Sequence, residues 1–86
     1  MKIDESLSKE IESARRHGHS VPVIITMRDS KDVALLAAKG IKPTITYASM
    51  PAVAAEVTAE QVEQMRAMPQ IELVEFDSEA HALRKQ

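Results

Sequence analysis

The chain has 86 residues, a formal net charge of -2, no cysteine and 2 % aromatic residues. That length gives one small domain, which buries only about 60 % of the surface its unfolded form exposes. The missing cysteines exclude disulfides, thiolate metal sites and a cysteine nucleophile, and the acidic balance disfavours a nucleic-acid partner, which needs a basic face.

Val, Ile, Leu, Met and Ala must therefore build the core, because large rings are nearly absent. No apolar stretch is long enough for a signal peptide or a membrane span. The location stays open: the sequence as written reads as cytoplasmic unless it is an excised fragment, and no membrane partner is expected.

Residues 4 to 17 place Ile3, Leu7, Ile11 and Ala14 at helical spacing. Asp4 or Ser6 can cap the start, and Arg15-Arg16-His17 before Gly18 suits the helix end. The apolar stripe is narrow. It fits a weakly docked N-terminal extension over residues 1–20, or a helix that packs on a second chain. Val21 to Met27 is rich in β-branched residues and reads as a strand, with Pro22 at its beginning. Ser30 to Lys39 reads as a helix capped by Asp29 or Ser30. Gly40 supplies the left-handed stop, and Ile41 folds back on Leu36.

Thr44 to Ala48 and Ala52 to Val57 read as two strands joined around Ser49-Met50-Pro51. Small side chains at Ala52, Ala54 and Ala55 would let something pack closely on the sheet. Thr58 and Gln61 have the capping-box spacing, and Val57 and Val62 the staple spacing. Val62, Met65 and Met68 give this helix its buried face, and Pro69 stops it. Ile71 to Asp77 is the last strand. In it Ile71 and Leu73 share parity with Glu75 and Asp77, while Val74 and Phe76 share the other. Either both sheet faces are covered, or a bulge swaps the parity.

The order strand, helix, strand, strand, helix, strand is the split βαβ pattern. The expected fold is α+β and ferredoxin-like: a four-stranded antiparallel sheet with two helices on one face, plus the N-terminal helical extension. Residues 21–77 form the domain, and residues 78–86 an extended C-terminal tail.

Thr58-Ala-Glu-Gln-Val-Glu-Gln-Met, followed by Pro69-Gln-Ile-Glu-Leu-Val-Glu-Phe-Asp77 and the tail Ala80-His81-Ala82-Leu83, resembles the propeptides of subtilisin-like serine proteases and the free-standing inhibitors built like them. The Met50-Pro51 pair also occurs in related inhibitors. The resemblance spans roughly Val21 to Leu83 and implies a protease inhibitor that also assists folding. By resemblance, Glu75 and Asp77 cap helices of the protease. Ala80, His81, Ala82 and Leu83 lie in its substrate cleft, with Leu83 in the primary specificity pocket. The N-terminal helix departs from the family pattern, as does the continuation Arg84-Lys85-Gln86. A chain running from Met1 to Gln86 fits a separate inhibitor better than an excised propeptide.

Inhibition of this kind requires no chemistry, cofactor or metal from the chain. His17, His19 and His81 are the only histidines, and for His17-x-His19 a helix end with basic neighbours is a more ordinary account than metal binding. The two glycines, Gly18 and Gly40, make no phosphate loop. Arg28 lacks the glycine-rich setting of an acylphosphatase loop. Tyr47 and Phe76 are the only rings available for stacking RNA bases. The expected partner is a subtilisin-like serine protease. The alternative is a non-enzymatic interaction domain that self-associates through the open sheet face or the N-terminal helix.

Overall fold

The computed structural model describes residues 1–47 and 49–80. The elements are β1 (Lys2–Ile3), α1 (Glu5–His17), β2 (Val21–Met27), a 3-10 turn (Ser30–Val33) continuing into α2 (Ala34–Ala37), β3 (Pro43–Thr46), β4 (Ala52–Val57), α3 (Ala59–Met65) and β5 (Ile71–Phe76). The fold is α+β. Its sheet has five strands in the order β1-β5-β2-β4-β3. This corrects the expected four-stranded antiparallel sheet: Lys2 and Ile3 pair in parallel with Leu73 and Val74, which makes the sheet mixed.

One side of the sheet carries the core. Val21, Val23, Ile25 and Met27 of β2 alternate inward, opposite Val57, Ala55 and Val53 of β4 and Val74 of β5. Three helical elements join this same cluster. Leu7, Ile11 and Ala14 come from α1, Leu36 from α2, and Val62 and Met65 from α3. The N-terminal helix is thus part of the central packing and not a loose extension. Its narrow stripe suffices because only three turns face the sheet, and Leu7 is fully enclosed.

Asp4 sets the position of α1. One carboxylate oxygen accepts the Leu7 N–H at 2.7 Å, the N-cap bond. The other accepts the Phe76 N–H of β5 at 3.3 Å. The Asp4 N–H donates to Val74 O at 3.4 Å. One side chain therefore starts the helix and ties it to the sheet. Asp4→Ala is expected to cost about 1–2 kcal/mol, the upper part of the range for a lost cap. Asp4→Asn should retain most of it, and urea midpoints of the two variants check the difference.

The segment expected as a helix from Ser30 to Lys39 is tighter and shorter. Asp29 caps it two residues on, at Lys31 N–H, and Asp32 N–H bonds to Asp29 O, so the first turn is 3-10. Its end follows the sequence. Gly40 has φ +76°, and the Gly40 and Ile41 N–H groups donate to Ala37 O and Leu36 O, both at 3.0 Å. Leu36 and Ile41 are both fully buried. The capping box of α3 is complete: Thr58 N–H donates to Gln61 Oε1 at 2.9 Å, and Gln61 N–H to Thr58 Oγ1 at 3.1 Å.

Candidate protein-interaction face

The second side of the sheet is built from the residues that alternate with the core. Pairing places Pro22 beside Glu56, Ile24 beside Ala54, and Thr26 beside Ala52. Ile24 also pairs with Glu75, Thr26 with Leu73, and Ile45 of β3 with Ala54. None of these residues belongs to the buried cluster packed by the helices. Ile45 is 53 % exposed, although it sits in a strand. At the centre of this face Ala52 and Ala54 are small and buried, 1 % and 3 % exposed.

The register decides which β5 residues reach this face. Thr26 pairs with Leu73, but Met27 pairs with Ile71, so Glu72 is an extra residue. A bulge of this kind reverses the alternation. Ile71 and Val74 both point into the core, while Leu73 and Glu75 point outward. The bulge is therefore the answer to the parity conflict in the sequence, and the second face needs no cover to explain it.

Glu75 stands half-buried on the open face, and its carboxylate has no hydrogen bond or ion pair among the described residues. Asp77 differs. Its N–H extends the ladder to Pro22 O at 3.0 Å, but its carboxylate accepts the Ala80 N–H at 3.2 Å. Residues 78–80 form a helical turn, not the extended segment expected. The reason is local: Asp77 is an N-cap, and the acidic Glu79 favours the first turn that follows. Ala80, within this turn, is half-buried. His81, Ala82 and Leu83 lie outside the described residues.

The opposite end of the face is basic. Lys2 and Arg28 line a shallow cleft with Pro69, Ile71, Leu73 and the bulge residue Glu72. Lys2 sits beside Leu73 in the ladder. Arg28 follows β2 and donates its backbone N–H to Gln70 O at 2.8 Å. Neither side chain has a salt-bridge partner among the described residues. No residue pattern brings these two cations to one end, because β1 is two residues long and too short to carry a period.

Other features lie elsewhere. His17 and His19 stack with ring centroids 6.3 Å apart at the end of α1. Among the described residues no cluster of three or more His, Asp or Glu side chains could hold a metal, and no helix is long and apolar enough to cross a membrane. Phe76 packs against the core, whereas Tyr47 bonds through its N–H to Ala52 O at the far margin of the sheet. The two rings do not form one stacking surface. No protein-family model, curated protein or solved structure matches the chain.

Proposed function

We infer that the chain inhibits a subtilisin-like serine protease and assists its folding, docking through the open sheet face and placing its C-terminal tail in the substrate cleft. The observation that carries this is Glu75: a carboxylate without a partner among the described residues, on the sheet face opposite the helices, two residues before the chain leaves the sheet. A carboxylate so placed can cap a helix of the protease, whose first N–H groups and dipole favour negative charge. The order β5-β2-β4-β3 of the antiparallel strands also agrees with the ferredoxin-like arrangement that the sequence resemblance implies.

Docking in this way changes the C-terminal turn. For residues 78–83 to add as a strand to the enzyme's binding edges, the Asp77–Ala80 bond must open. The loss is small, about 0.5–1.5 kcal/mol for one hydrogen bond. Opening it frees the Asp77 carboxylate to join Glu75 in helix capping. Leu83 then occupies the primary specificity pocket and Ala80 the pocket three residues upstream. The chain acts as substrate or product would, and supplies no catalytic group.

Titration of a subtilisin-type protease with the purified chain tests this directly. Saturable loss of peptidase activity is expected, and unchanged proteolysis at every ratio would refute it. Glu75→Lys should weaken inhibition by roughly tenfold, the scale of losing a partly buried charge–dipole contact. It is a cleaner probe than Asp77, whose substitution also removes the cap on Ala80. Unaltered potency in Glu75→Lys would remove the capping role.

A further inference from the structure

We propose that in the free protein the open sheet face is covered by a second copy of the chain, turned so that the acidic end of one face meets the basic end of the other. The face is charge-polar along the strands. At the end where β2 starts, Glu56, Glu75 and Asp77 surround Pro22 and Ile24. At the end where β2 finishes stand Lys2 and Arg28, with Glu72 at the rim. Between them lie Ile24, Thr26, Ala52, Ala54 and Leu73, none of them charged.

A two-fold axis can lie in such an interface either along the strands or across them. An axis along the strands sets acid on acid and base on base. An axis across the strands, between the levels of Ile24 and Thr26, reverses one copy on the other. β2 then lies over β2 of the second copy. Arg28 comes over Pro22, with Asp77 and Glu56 on either side. Lys2 comes beside Glu75, the carboxylate that has no partner among the described residues of its own chain. Ala52 comes to the level of Ala54 in the middle, both already buried and small enough not to hold two sheets apart. The arrangement is isologous and closed, as a two-fold pair must be, and the sheets pack aligned.

The charges thus select a partner that carries both signs at the right separation, and the chain itself is such a partner. The extent of the face sets the strength. Strands of about six residues, spaced about 4.8 Å apart, give a face about 20 Å on a side. Two such faces together bury on the order of 1,000 Å², the low end for specific interfaces. The pair is therefore a weak dimer that exchanges with monomer. Its bearing on inhibition rests on the function proposed above: a protease would compete with the second copy for the same face.

Sedimentation velocity over a dilution series, without protease, tests the pairing apart from inhibition. The wild-type chain is expected to pass from monomer to dimer as concentration rises. Lys2→Glu with Arg28→Glu should weaken the dimer by roughly tenfold or more, through like charges brought together. Glu56→Lys with Glu75→Lys should do the same, and Glu75→Lys alone serves if loss of the Ser20–Glu56 hydrogen bond disturbs folding. An equimolar mixture of the acidic-end and basic-end variants should recover dimer. A wild-type chain that stays monomeric up to millimolar concentration overturns the proposal. So do reversals that leave dimerisation intact, and so does a mixture that fails to recover it.

Discussion

Replacing Leu7 by alanine is expected to remove about 2–5 kcal/mol of stability, the range for a large aliphatic side chain truncated in a closed core. Domains of this size are held by about 0.05–0.15 kcal/mol per residue, so about 4–13 kcal/mol for this chain. The substitution would thus consume a large part of the total and could leave the variant half unfolded at room temperature. The reasoning is specific to position. Leu7 is fully enclosed, and its neighbours in the cluster come from the sheet and from α3. A helix merely appended to a finished domain would lose far less. Urea denaturation decides the matter: the midpoint should fall with little change in slope. A shift of only a few tenths of a kcal/mol would mean that α1 is dispensable to the core.

Removing residues 78–86 should have the largest effect on inhibition. An extended segment laid in a cleft makes several main-chain hydrogen bonds, each worth about 0.5–1.5 kcal/mol net. Three or four of them correspond to about 3–4 kcal/mol, a loss on the order of a hundredfold or more in affinity. The core should remain, because no described residue after Val74 belongs to the buried cluster and Phe76 is kept. The measurement is a pair of inhibition titrations, full-length against truncated, with denaturation midpoints as the control for folding. Equal potency of the two chains would eliminate the tail from the mechanism.

The parts of the fold that the sequence made legible are those determined by neighbouring residues. Gly40 with Ile41, the Thr58–Gln61 box and the Asp4 cap each need only a few adjacent positions. Each takes the expected form. Strand β2 was readable in full because Val21 to Met27 is both β-branched and bounded. β1 was not readable. Two residues carry no period, and Lys2 and Ile3 are strand only because β5 lies beside them. The docking of α1 was missed for the same reason: spacing shows that a helix has an apolar stripe, but not which surface receives it. Of the site, Glu75 was found through its parity in β5, and the bulge at Glu72 is what makes that parity point outward. The turn at residues 78–80 has a local signal of its own. Asp77-Ser78-Glu79 is an ordinary helix start, and the Asp77–Ala80 bond realises it.

The two margins of the sheet are not alike. At one side β3 presents four exposed residues along its whole length. At the other, β5 is shielded by the brief parallel run of Lys2 and Ile3, a two-residue border too short to template another chain. A ribbon with two bare borders grows from both and has no natural stop. Among the described residues this one offers a newcomer β3 alone, so any lateral addition there is finite. Stripping off the first three residues would bare the second border, and the same protein would then be able to polymerise.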